Sequence, residues 1–113
     1  MISVIIPIFN EQKFIYKAIE SVLSQDIKNI NQEIIVVDGM STDGTRDIIN
    51  DFKKKHGNII LLDNPEKLVS IGFNKALTIS KGDIIFRLDG HAEFSSDYFR
   101  KCLSIMKKKS IKN

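Results

Sequence analysis

The chain has 113 residues, 27% of them charged and 42% hydrophobic, with a formal net charge of +3. These values fit one soluble globular domain and exclude a disordered or low-complexity chain and a disulfide-rich scaffold. The charge is local: Arg100, Lys101, Lys107, Lys108, Lys109 and Lys112 face no acid after residue 100, and the rest of the chain carries 11 basic against 14 acidic residues. No aromatic residue is interleaved with these lysines, so a single-stranded nucleic-acid platform is not expected.

The opening run ISVIIPIF (2–9) is β-branched and apolar, the pattern of a strand buried on both faces. FIYKAIESVLSQ (14–25) places Ile15, Ala18, Ile19, Val22 and Leu23 on one helical face. EIIVVD (33–38) reads as a second buried strand. TRDIINDFKKKHG (45–57) reads as a helix with Ile48, Ile49 and Phe52 inward, closed by Gly57, with Ser41, Thr42 and Asp43 as candidate caps.

NIILLD (58–63) is a third strand, and LVSIGFNKALTIS (68–80) a third helix, weakened by Gly72. DIIFRLD (83–89) is a fourth strand, expected to be apolar on both faces. SDYFRKCLSIMKKK (96–109) is a last helix with Phe99, Cys102, Leu103 and Met106 on one face and Ser95 or Ser96 as cap. The order β-α-β-α-β-α-β-α implies an α/β three-layer sandwich around a parallel sheet, with right-handed crossovers. The single cysteine, Cys102, is expected to be a small buried hydrophobe. No stretch has the length of a membrane-spanning helix.

Three strands run out into polar residues: Asn10-Glu11, Asp38-Gly39-Met40-Ser41-Thr42-Asp43 and Asp89-Gly90-His91. In open parallel sheets ligands bind beyond the carboxyl ends of strands, where the strand order reverses. Each cluster also has a plainer reading as turn or cap chemistry. Asp89, His91 and Glu93 in one loop combine carboxylates with an imidazole, a set suited to Mn²⁺ or a similar borderline cation. A diphosphate would complete such a shell with its own oxygens. The chain has no GxGxxG, no GxxxxGK[ST] and no GxSxG, which argues against dinucleotide-binding, P-loop and nucleophile-elbow enzymes. A phospho-acceptor signalling module would want an acidic pair after strand one, and Asn10-Glu11 imitates it only in part.

Taken together, SVIIPIFNE, EIIVVDGMSTDGT, GFNKALTISKGDIIFRLDG and HAEF resemble the N-terminal half of family 2 glycosyltransferases, from residue 3 to about residue 99. RLDGHAEF resembles the succinoglycan-type exopolysaccharide subgroup, in which the Asp-x-Asp motif is written Asp-x-His. The resemblance implies a Rossmann-like GT-A fold for nucleotide-diphospho-sugar transfer, truncated relative to the family. It implies an inverting hexosyl transfer from a nucleotide-diphosphate sugar, commonly a UDP-sugar, to a polysaccharide or lipid-linked acceptor in cell-envelope assembly.

By position, Pro7, Phe9 and Glu11 resemble the lip that holds base and ribose, and Asp38 the acid that accepts a ring N–H of the base. Asp89 corresponds to the first motif acid, and His91 replaces the acid that binds Mn²⁺ or Mg²⁺ directly. Lys67 and Asn74 border the donor pocket in this comparison. The general base lies later in the family, at a position expected beyond Asn113. Residues 1–113 are therefore expected to be the donor-binding portion, without the acceptor and base region. A cytoplasmic location at the inner membrane face follows from the resemblance. Membrane contact through the Lys-rich last helix and self-association through an exposed strand-four edge are further expectations. The alternative is a non-catalytic nucleotide-binding or signalling module of similar topology.

Overall fold

A computed structural model describes the backbone of residues 1–112 and the side chains of residues 1–107. The side chains of Lys108, Lys109 and Lys112, half of the C-terminal basic run, lie outside the described residues. So does Asn113, the position beyond which the general base is expected. The elements are β1 (Ile2–Ile8), α1 (Ile15–Leu23), β2 (Gln32–Asp38), α2 (Thr45–Lys55), β3 (Ile59–Asp63), α3 (Val69–Ile79), β4 (Ile84–Arg87) and α4 (Tyr98–Lys112). The strands form one sheet in the order β3-β2-β1-β4, and every pairing is parallel.

Strand alternation divides the core into two layers. Ile2, Val4, Ile6, Ile34 and Val36 face one side and pack against Ile15, Ile19 and Val22 of α1, Ile49 of α2 and Phe99 of α4. Ile5, Ile35 and Val37 face the other side and meet Ala76 of α3. The result is the expected three-layer α/β sandwich. Gly72 has a packing reason: a Cβ there would lie 2.6 Å from Asn64 Nδ2 and 2.7 Å from Val37 Cγ1. The small residue lets α3 lie close to β2, which offsets its poor helix propensity.

Three local expectations are corrected. Strand β4 is not buried on both faces: Ile84, Ile85 and Phe86 are half-buried because β4 is a sheet edge. Met106 is exposed, whereas Phe99 is buried and Cys102 and Leu103 are half-buried. A helix of this length, about 22 Å, outlasts the four-residue strand beside it, about 13 Å. Gly57 does not close α2 in a left-handed turn; the helix stops at Lys55 and His56 is extended.

The caps also differ in detail. Gly44 is the N-cap residue of α2, and Asp43, one residue before it, accepts the Thr45 N–H through Oδ1 at 2.9 Å. The Thr45 hydroxyl lowers the Asp43 pKa by donating to the same carboxylate. At α4 the serine hydroxyls do not cap: buried Gln25, just past α1, accepts the Phe99 N–H at 2.9 Å and donates to Ser95 O at 2.6 Å.

Candidate functional site

The strand order reverses at β1: the chain steps from β1 outward to β2 and β3, then returns to place β4 on the other side. The carboxyl ends of β1, β2 and β3 are level, since Ile8 pairs with Asp38 and Asp38 with Asp63. Strand β4 stops sooner, with Arg87 opposite Ile5, so Asp89-Gly90-His91 runs beside the exit of β1. Gly90 permits this approach, because a Cβ there would lie 2.6 Å from Ile8 Cγ2 and 3.0 Å from Glu11 Cγ.

A cleft of about 220 Å³ opens at this edge. Pro7, Phe9 and Glu11 come from the β1 exit, Val37 and Gly39 from the β2 exit, and Asn64, Lys67 and Val69 from the β3–α3 connection. Arg87, Asp89 and His91 close it from β4. Six of the seven residues expected to bind donor or metal on the β1, β3 and β4 sides therefore line one cleft: Pro7, Phe9, Glu11, Lys67, Asp89 and His91. Asn74, the seventh, is exposed on α3 and does not line it. Glu93 is likewise exposed and outside it.

Asp38 is at the same edge but faces another set of partners. It is fully buried, and its carboxylate accepts the Ser41 hydroxyl at 2.5 Å and the Ser41 N–H at 3.1 Å. Arg46 Nη1 donates to it at 2.7 Å and reaches Asp63 through Nη2 at 2.8 Å. Donating to the carboxylates of Asp63 and then Asp38 raises the Arg46 pKa above its ordinary value. The β1 and β2 exits are stitched together around this anchor. Asn10 N–H donates to Ser41 Oγ at 2.8 Å, Thr42 N–H to Asn10 Oδ1 at 2.8 Å, and Glu11 N–H to Thr45 Oγ1 at 2.9 Å. Asn10 and Met40 both take positive φ, 51° and 66°, to make these turns. Such backbone values are uncommon outside glycine and cluster at sites where the surroundings impose them.

Across the cleft the contacts are looser. His91 Nδ1 lies 3.5 Å from Glu11 Oε1, and Arg87 Nη2 lies 3.7 Å from Asp89 Oδ1. The side chains of Arg87, Asp89 and His91 are 51%, 57% and 63% exposed. Exposed pairs of this kind contribute about 0–1 kcal/mol. Among the described residues no group of three His, Cys, Asp or Glu side chains is arranged to hold a metal ion. At the β4 exit the protein offers one carboxylate and one imidazole, Asp89 and His91, both more than half exposed. That donor pair fits a divalent ion whose remaining positions are filled by ligand oxygens.

Two polar cleft residues were not anticipated from the sequence, Asn64 and Arg87. Asn64 is buried, and its Nδ2 donates to Leu68 O at 3.0 Å, which fixes the amide orientation. Its Oδ1 is buried without a hydrogen-bond partner. Arg87 follows Ile85 by two positions, so it breaks the apolar alternation of β4, a signal present in the sequence.

Comparison with known proteins agrees with this geometry. The model of the family described as glycosyl transferase family 2 matches residues 3–111. The chain is 44% identical over 100 residues to an Escherichia coli protein, UDP-Glc:alpha-D-GlcNAc-diphosphoundecaprenol beta-1,3-glucosyltransferase WfaP, covering 88% of this chain and 36% of that one. It is 33% identical over 97 residues to the succinoglycan biosynthesis protein ExoA of Rhizobium meliloti, covering 84% and 29%. The fold is that of the mannosyltransferase PcManGT from Pyrobaculum calidifontis, solved with GDP-Man and Mn2+: TM-score 0.76, 27% identity, 84% of this chain and 29% of that one. The chain thus spans about a third of the length of these relatives. With a GT-A sheet, a cleft at its switch point and a family match along nearly the whole sequence, this chain belongs to glycosyl transferase family 2.

Proposed function

We propose that this chain binds the nucleotide-diphosphate sugar of an inverting, metal-assisted glycosyltransferase that extends a polysaccharide or lipid-linked saccharide. One observation carries the reading: the exits of β1 and β4 bring Glu11, Asp89 and His91 into a single cleft beside Lys67 and Arg87. Pro7, Phe9, Val37 and Val69 supply the apolar part of that cleft, suited to a base and ribose. Asn64 Oδ1, a buried acceptor without a partner, supports a ligand that brings an N–H. Asp38, held by Ser41 and Arg46 and flanked in sequence by the cleft residues Val37 and Gly39, is assigned to base recognition. Asn74 is assigned no direct contact.

A UDP-sugar is the proposed donor, in keeping with the donor in the name of the E. coli relative. Asp89 and His91 would hold a divalent ion, and Mn²⁺ suits an imidazole ligand better than Mg²⁺ does. Such an ion supplies positive charge to the departing diphosphate. The residues of the cleft all serve the donor. The acceptor site and the general base, expected beyond Asn113, are assigned to parts of the relatives that this chain does not span. Action at a membrane face is part of the proposal through the lipid-linked acceptor; among the described residues no helix is long and apolar enough to cross a membrane.

Thermal unfolding with UDP and Mn²⁺ tests the reading. A ligand at about 100 times its Kd adds about 2.7 kcal/mol to stability, which at this size raises Tm by about 10 °C or more. Absence of any shift with UDP and with GDP, with and without Mn²⁺, would reject the reading.

A further inference from the structure

Arg87 stands where the pattern of β4 calls for an apolar side chain. Ile85, two residues earlier, packs in the layer with Ile5 and Phe73, and Ile5, the register partner of Arg87, is fully buried. What engages the guanidinium is weak. Asp89 Oδ1 is 3.7 Å away, beyond hydrogen-bond distance, and the Phe73 ring centroid is 5.8 Å away. Neither partner explains why this position keeps a cation at the carboxyl end of a strand.

Lys67 presents a matching observation across β1. Its backbone is left-handed, φ 63°, in a turn closed by its N–H donating to Asn64 O at 3.0 Å. Its ammonium lies 5.3 Å from the centroid of the Phe9 ring. Lys67 enters from the β3 side of the sheet and Arg87 from the β4 side, and both line the same 220 Å³ cleft. Glu11 is engaged with His91. Once Asp89 turns to a ligand or its cation, Arg87 loses its nearest carboxylate and two positive groups flank the mouth of β1. A guanidinium presents paired N–H donors to phosphate oxygens, and an ammonium adds a compact charge.

We propose that Arg87 and Lys67 hold the diphosphate of the donor from the two sides of β1, Arg87 leaving Asp89 and the Phe73 ring to do so. This deepens the donor-binding reading above and rests on it. Arg87 is then a ligand-holding residue that the Asp-x-His segment does not include, and it shares the neutralisation of the diphosphate with whatever cation Asp89 and His91 bind.

Calorimetric titration of the whole protein with uridine, UMP and UDP, in EDTA and in Mn²⁺, tests it. Arg87→Ala is expected to weaken UDP by about tenfold or more, the scale of one lost charge-assisted contact, while uridine changes by less than about twofold. Arg87→Lys is expected to recover part of the loss. Lys67→Asn, which tolerates the left-handed backbone, removes the second charge and is expected to act the same way, so the proposal stays testable if an Arg87 variant does not fold. Equal loss for uridine and UDP means a structural role and overturns the inference, as does UDP binding at wild-type strength in both variants. A wild type that binds neither UDP in this titration nor GDP in a parallel one defeats the donor-binding reading itself and takes this inference with it.

Discussion

The exits of β2 and β4 lie at the same edge of one sheet and are built in opposite ways. At the β2 exit Asp38 is fully buried, and Ser41 and Arg46 occupy its carboxylate at 2.5–3.1 Å. At the β4 exit Arg87, Asp89 and His91 are each more than half exposed, and their nearest charged partners are 3.5–3.7 Å away. The first arrangement fixes the loops; the second leaves side chains free to take a ligand. A binding edge needs both, because flexible donors are useful only when the frame that carries them does not move.

The contrast is broken most severely by Asp38→Ala. Removing one member of a buried ion pair costs about 3–5 kcal/mol, and since the Arg46 side chain remains 32% exposed, a loss of about 2–3 kcal/mol is expected. Chemical denaturation measures it, and an unchanged midpoint would show that the Asp38 anchor carries no stability. The same variant should abolish the thermal shift with UDP even at a temperature where it is folded. Gly72→Ala comes next. Its Cβ would press on Asn64 and Val37, an overpacking cost of about 1–3 kcal/mol. Because Asn64 lines the cleft, nucleotide affinity should fall as well.

His91→Ala sharpens the comparison from the other side. Stability should stay within about 0.5 kcal/mol, as for exposed positions generally, while Mn²⁺-dependent UDP binding weakens by about tenfold or more, as for a lost metal ligand. Calorimetry with and without Mn²⁺ separates the two. The smallest effect is at Asp43. Its folded pKa lies below the ordinary value of 3.8, so its capping contribution is complete above that pH and is lost as pH falls through the folded pKa. Asp43→Asn should therefore flatten acid unfolding below about pH 4 and cost a small amount of stability at pH 7, where the ionised carboxylate contributes in full.

Much of this was legible in the sequence because it depends on short periods. Eight alternating elements, their order and the three polar strand exits follow from patterns within a dozen residues, and the boundaries agree within about two residues except at the end of α4, which runs three residues further. Asn74 could have been set aside on the same basis. It lies about 200° around α3 from Gly72, which is buried toward the sheet. The edge position of β4 was expected only through the family resemblance, since strand order is a long-range property that no local pattern carries. Nor could the sequence show that Arg46 reaches back to Asp38, or that Gln25 caps a helix 74 positions away. Such pairs have no local signature. Arg87 had one, the interrupted alternation of β4, but its meaning depended on seeing which cleft the strand closes.

The pairing of β1 with β4 joins segments 82 positions apart, from Met1 to Asp83. Closing a loop of that size costs chain entropy that grows with its length; the short β4 ladder, the α4 packing and bonds such as Gly82 N–H to Ser3 Oγ offset it locally. The cleft at the carboxyl edge lies partly across this seam. A nucleotide bound there would act as a clasp between the first and last strands of the sheet, so occupancy should slow amide exchange in β4 more than in β2 or β3. Substrate would then help complete the domain that receives it.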